Sequence, residues 1–373
     1  MKVPSGALLL LWLQSALALF GQSGITIRNV RVVDVDAGTV TAPRTVYVAG
    51  DRIVAASGAS GPGAVRTVDG TGKFLSPGLW NMHGTVSPRD PGAGVERGIT
   101  GVRDMSAEPL AAMLELYRKI ESGAVRGPRL LTGGPAVAFS SATEARAWFD
   151  GMYRSEADFI RFAAGIGPEA YIALAEQSRK WRLPLVGPLP VAVRLADAVA
   201  LRQSSIEGTA GLERVACEGF LYAGRDGVWF TPMTREAGGE LVRWMRSCGA
   251  RMLAGAADGD LHAELEAMVA EAGFTPMGAL RTATFEVARF LGSDVGSIAV
   301  GKLADLVLLD ADPTSDIRNL RRVRGVALRG KWIEVPTMGT SSSPPGSRSV
   351  TRPREASLAK PPASSAKPGS RIP

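Results

Sequence analysis

Two periodicities divide the chain. Between Ile25 and Val68 apolar and polar residues alternate in short runs: Ile25-Thr26-Ile27-Arg28-Asn29-Val30, then Val32-Val33-Asp34-Val35, Thr45-Val46-Tyr47-Val48 and Arg52-Ile53-Val54. The last two runs flank Gly50-Asp51, a turn signal. A period of two broken by turn residues predicts a small antiparallel β unit. Beyond residue 76 the pattern changes to strand-length apolar runs separated by helical stripes. Leu79–Met82, Gly98–Asp104, Arg129–Thr132, Asp158–Phe162 and Leu183–Pro188 read as strands. Leu110, Met113, Leu114 and Tyr117 recur at helical spacing, as do Tyr171, Leu174, Ala175 and Ser178 within Pro168–Trp181. Leu265, Met268 and Val269 give the same stripe after Leu261. Thr275-Pro276 supplies an N-cap and a first helical position for a helix with Leu280, Thr284, Val287 and Leu291 on one face and Gly292 behind it. The interval between His83 and the strand near Ile99 is short for a connection that includes a helix, which normally needs at least about 10–12 residues, so a truncated first helix is expected. Leu303–Leu309 and Val323–Trp332 return to strand patterning, with Arg329-Gly330-Lys331 as a turn.

The 373 residues leave room for one large domain and a smaller one. Lys2, the apolar run Ala7–Leu19 and Ala16-Leu17-Ala18 have the layout of a secretory signal peptide over residues 1–21. The run is short for a membrane span. Export to the periplasm or outside the cell is therefore expected, with no transmembrane segment in the mature chain. The formal net charge is +7, but six Lys and Arg residues against Glu355 alone lie beyond Thr337, so the remainder is close to neutral. No basic patch argues for nucleic acid. Residues 336–373, rich in Ser, Pro, Lys and Arg, are expected to be a disordered tail able to touch an anionic envelope surface. Of the two cysteines, Cys217 and Cys248, two buried free thiols are the favoured reading and one bridge the alternative.

Candidate chemistry centres on Leu75–Thr85. Pro77-Gly78 turns the chain into an apolar strand that ends at His83. A group at the C-terminal end of a barrel strand faces an active site, and neutral imidazole is a good metal ligand. The run Ser76-Pro77-Gly78-Leu79-Trp80-Asn81-Met82-His83 resembles the first-strand motif of the amidohydrolase superfamily, in its imidazolonepropionase-like branch. Gly98–Asp104 is close to that family's second-strand segment, and Gln203–Gly208 to its Ser-Ile-Glu-His segment. Gly296–Asp310 is the most specific match. The resemblance implies a (β/α)8 TIM-like barrel over 76–293, beside a small composite β-sandwich from 22–75 and 294–335. It also implies zinc or another divalent metal, and hydrolysis of amide or cyclic C–N bonds of a small-molecule substrate by metal-activated water.

The family's metal positions are nevertheless mostly changed. His83 stands, but the second histidine of the first strand is Thr85, the strand lysine is Arg161, and two later histidines are Pro188 and Gly208. Arginine stays protonated and cannot form the bridging carbamate a lysine can. The metal-binding aspartate reads Ala257 in direct register. Asp258 follows it, and adjacent strand residues point to opposite sides. One imidazole does not hold zinc tightly, since open catalytic sites use three protein ligands. Metal is therefore expected to be weak or absent, with His83 the residual ligand and Asp258 the catalytic candidate. His83, Thr85, Arg161 and Glu207 are expected to line a ligand pocket. Arg103 and Asp104 are expected to pair at a strand end, and His262 to be exposed or capping. The expected protein is a catalytically impaired or inactive homologue binding a small ligand or partner. The alternatives are an active hydrolase with a rearranged site using His83, Asp258 and either Asp260 or Glu264, and a purely structural module.

Overall fold

The computed structural model describes residues 24–56, 66–152 and 154–336. The expected signal peptide and the tail beyond Pro336 lie outside the described residues. The strands in chain order are β1 (Gly24–Asp34), β2 (Thr39–Val40), β3 (Arg44–Ala49), β4 (Arg52–Ala56), β5 (Arg66–Asp69), β6 (Phe74–Pro77), β7 (Leu79–Gly84) and β8 (Ile99–Asp104). They continue as β9 (Arg129–Thr132), β10 (Ile160–Arg161), β11 (Leu185–Gly187), β12 (Ser205–Glu207), β13 (Trp229–Thr231), β14 (Leu306–Leu309), β15 (Val323–Leu328) and β16 (Lys331–Glu334).

The alternating segments at the two ends of the chain form one nine-stranded sheet, in the order β16-β15-β14-β6-β1-β3-β4, with β2 and β5 also on β1. β1 is long enough to serve both halves. Its first part pairs with β3 and β5 and its second part with β6, with a register shift between Ile27 and Val30. Asn29 lies in that shift at φ 54°, a backbone conformation Asn tolerates better than most residues. The apolar positions of both halves share one core, in which Ile25, Ile27, Val46, Val48 and Ile53 pack with Val32, Leu75, Leu306 and Leu308. β6 carries this unit to Pro77, two residues past the expected boundary.

The intervening chain is built from parallel strands. β7-β8-β9 form one sheet and β10-β11-β12-β13 another. Asp158 N–H donates to Thr132 O at 2.8 Å across the first gap. Leu253 N–H donates to Phe230 O at 2.9 Å and Met82 N–H to Ala254 O at 3.0 Å across the second, so residues 252–254 run between β13 and β7. Only the short 3-10 turn Val95–Arg97 lies between β7 and β8, in keeping with the short connection. Of the stripe Leu110, Met113, Leu114 and Tyr117, helix Leu110–Glu121 buries Met113 and Leu114 and half-buries the other two, and it also buries Leu116 and Ile120. Helix Pro168–Trp181 starts on its proline and buries Tyr171, Leu174, Ala175 and Ser178. No helix among the described residues is long and apolar enough to cross a membrane.

Two expectations are corrected. The single helix expected after Thr275 is two, Pro276–Thr282 and Phe285–Leu291. The carbonyls of Thr282 and Ala283 accept from Ala254 and Trp80 N–H at 3.1 and 2.9 Å, so barrel strands take acceptors a continuous helix would use. Cys217 and Cys248 are joined as a disulfide rather than free. Cys217 opens helix Cys217–Arg225 and Cys248 caps helix Gly239–Ser247, and their Cα atoms are 4.9 Å apart, within reach of a bridge.

Candidate functional site

The C-terminal ends of β7, β8, β12 and β13 converge on one buried ion cluster. His83, near the end of β7, places Nδ1 2.7 Å from Glu207 Oε2. Glu207, the last residue of β12, accepts from Arg103 Nη2 on its other oxygen at 2.7 Å and from Ser205 Oγ on the same oxygen. Arg103 Nε donates to Met82 O at 2.7 Å, and Thr231 Oγ1 lies 3.5 Å from both Arg103 Nη2 and Glu207 Oε1. The Phe290 ring centroid is 5.5 Å from the guanidinium carbon of Arg103. Arg103 and Glu207 are 1% and 4% exposed along their side chains, so water contributes almost nothing to their solvation. Burial alone would push the Glu207 carboxyl up. The Arg103 charge and the hydrogen bonds from His83 and Ser205 outweigh it and hold the carboxyl down at about 2. Glu207 is therefore an anion at any physiological pH. The His83 side chain is 14% exposed.

The expected Arg103–Asp104 pair is not formed. Adjacent strand residues point to opposite sides, which sends Arg103 across to β12. Asp104 instead accepts from Val86 N–H at 3.0 Å and Ser106 Oγ at 2.6 Å. Its burial pushes its pKa up. Arg161 stands nearby, with Nη1 donating to the carbonyls of Met105 and, at 2.8 Å, Ser106. Burial lowers its pKa, while the charges of Glu207 and Asp104 oppose that shift. Thr85 is exposed.

Sequence reasoning missed Asn81, Ser205 and Thr231 and misassigned Arg103. Asn81 is the polar residue inside the apolar run of β7, and that was its one visible signal. Its side chain donates to Ala256 O and accepts from Ala256 N–H, both at 2.9 Å, and accepts from His83 N–H at 3.2 Å. It thereby pins His83 to the segment after residue 254. Gly255 completes the fit, because a Cβ there would fall 2.6 Å from His83 Cβ and from Thr231 Cγ2.

The remaining candidates are engaged elsewhere. Asp258, about half exposed, pairs with Arg235 at 2.6 Å and accepts from Asp260 N–H. Asp260 caps helix Leu261–Ala270 by accepting from Ala263 N–H and also meets Arg321 at 3.4 Å. Glu264 is buried and accepts from Thr234 and Arg235 N–H at 2.6 and 3.2 Å. His262 is neither exposed nor capping: it is 2% exposed, and neither ring nitrogen has a hydrogen-bond partner among the described residues. The cap role belongs to Asp260, and the apolar side of the helix takes His262 inward with it. Burial lowers the pKa of His262 to about 4.

At the positions resembling metal ligands, Pro188 and Ala257 bring no donor. Gly208 sits at φ 72°, where any side chain would strain the backbone. Among the described residues, no three His, Cys, Asp or Glu side chains group as a metal site would require. The donor set around His83 does not fit a dication, since Glu207 is already committed to Arg103, Ser205 and His83, and Arg103 and Arg161 place two positive charges beside it.

Residues 193–333 match the model of the amidohydrolase family. No curated protein sequence matches the chain. Among solved structures, the chain is similar to a Xaa-Pro dipeptidase with bound methionine in its active site, at 19% identity and a TM-score of 0.72, covering 84% of this chain and all of that one. It is similar to molinate hydrolase at 19% identity and a TM-score of 0.72, covering 89% of this chain and all of that one. It is also similar to the A. niger ochratoxinase at 17% identity and a TM-score of 0.71, covering 85% and 97%. At these identities the structural likeness speaks for the fold: a TIM-like barrel with an additional domain. The first-strand and late-strand motifs, the matched segment and this shared fold together make the chain similar to the amidohydrolase superfamily.

Proposed function

We propose that the protein is an exported amidohydrolase homologue that binds a small molecule at the barrel mouth and no longer carries out its family's metal-dependent hydrolysis of amide or cyclic C–N bonds. The observation that carries this reading is the Arg103–Glu207–His83 cluster. Hydrolysis of the family type needs a dication to bring bound water to a pKa near ~7. Here a buried guanidinium already neutralises the carboxylate beside the one retained histidine, and Arg161 adds a second positive charge. Such a site favours an anionic or hydrogen-bonding ligand over a metal ion. His83, Thr85 and Arg161 are the residues we assign to ligand contact, with Glu207 orienting the His83 ring. The Cys217–Cys248 bridge supports export, because disulfides persist in oxidising compartments. The basic tail is assigned a weak contact with an anionic envelope surface.

The test is metal content of the purified mature protein after zinc loading and desalting, beside a His83→Ala variant. We expect near-zero zinc in both. Roughly one zinc per chain, lost in the variant, would overturn the reading and direct attention to a rearranged hydrolase site using Asp258, Asp260 or Glu264.

A further inference from the structure

A cavity of about 300 Å³ opens at the end of the barrel away from His83. Its position follows from two strands. Arg251 lines it, and Gly255, four residues later, packs on His83. Four strand residues span roughly 13 Å. Likewise Trp229, at the start of β13, lies under Arg251, whereas Thr231 at its end touches the Arg103–Glu207 pair. The cavity is therefore separate from the barrel mouth.

Its lining is strongly cationic. Arg246, Arg251, Arg281 and Arg289 surround it, against the single carboxylate of Glu286. Glu286 lies 3.3 Å from Arg289 and 4.0 Å from Arg281. The guanidinium groups are held by aromatic faces: Arg251 3.8 Å from the Trp229 centroid, Arg281 4.2 Å from Phe285 and Arg246 5.0 Å from Phe274. Cation–π contact orients these groups without cancelling their charge. Arg251 Nε is buried with no hydrogen-bond partner among the described residues, and its Nη1 reaches only Gly224 O, at 3.3 Å. Arg251 and Arg289 repel one another. Four pre-positioned guanidinium groups with one carboxylate leave a surplus of three positive charges around a space sized for a small molecule.

We propose that this cavity binds a small phosphorylated anion, with the planar forks of Arg251 and Arg289 donating to the phosphate oxygens. Guanidinium matches phosphate geometry in a bidentate way, and a multiply charged phosphate offsets the surplus better than a monocarboxylate does. Phe274, with Ala250 and Met252, gives the organic part of such a ligand an apolar wall.

The test is isothermal titration of the full mature chain with inorganic pyrophosphate in 0.15 M salt, with acetate as the comparison anion. Saturable binding at one site per chain is expected for pyrophosphate and none for acetate. Arg289→Gln, on a side chain half exposed and therefore safe for folding, should weaken binding at least tenfold. Arg194→Gln, in an exposed ion pair outside this cavity, should leave it unchanged. No saturable heat, equal binding of acetate, or equal weakening by Arg194→Gln would each overturn the proposal.

Discussion

Arg103 and Glu207 form an ion pair almost wholly out of water. The cost of removing one partner from such a pair is dominated by the charge left behind, about 3–5 kcal/mol. Arg103→Met is therefore expected to lower the stability of the protein by that amount in urea unfolding. The double variant Arg103→Met with Glu207→Gln should recover much of the loss, because it strands no buried charge. An additive double variant would show that the pair is not energetically coupled. The second histidine makes a pH prediction. His262 has a folded pKa of about 4 against 6.5 for an exposed imidazole, because burial disfavours the charged ring. The unfolded chain thus takes the proton first as pH falls below 6.5, and stability is lost between there and about 4. The loss by pH 5 is about 2 kcal/mol relative to pH 8. His262→Leu should flatten the fall in Tm between pH 8 and pH 5. An unchanged slope would assign the acid sensitivity to other groups. At this scale His83 and Glu207 were legible, because each sits in a recognisable strand-end motif. The partner of Arg103 was not, since it lies 104 residues away and no local pattern encodes a contact across the barrel.

Among the elements, strands and helices with strong periodicity lie where the pattern put them. Arg129–Thr132 is β9 and Pro168–Trp181 is a helix with those bounds. The break at Ala283-Thr284 was not legible, because a stripe of Leu280, Thr284, Val287 and Leu291 continues through it. Barrel strands withdraw the carbonyl acceptors there, and that competition arises only on packing. The Cys217–Cys248 bridge is the other element-level feature. It ties the start of one helix to the end of another across a sequence separation of 31. Closing a loop of that size restricts the unfolded chain by about 3.7 kcal/mol. Cys217→Ala with Cys248→Ala should lower stability by that order in denaturant titration, and a reductant should act on the parent protein in the same direction. A change under about 0.5 kcal/mol would mean the two helices are held by packing alone.

Among the described residues, the strands of 24–77 and of 306–334 meet in one sheet, one of whose apolar faces forms its own core, and the barrel lies between them in sequence. Arg129 on β9 meets Asp305 just before β14, and Asp305 O accepts from Gly78 N–H at 2.8 Å, so the barrel and the sheet are tied at the entrance to β7. The stretch that carries His83 is thereby anchored at its base by Asp305 and near its tip by Asn81. By itself the sequence determined the alternation of strands and helices, the α/β class, the family resemblance and the residue types that stand at its motif positions, because each is written in local periodicity or in residue identity at a motif. Only the tertiary structure decided that Arg103 reaches Glu207, that His262 is buried, that the cysteines join, and that four arginines from separate segments surround one cavity. Those are contacts between residues far apart in sequence, and their energies depend on burial and distance, which exist only once the chain has folded.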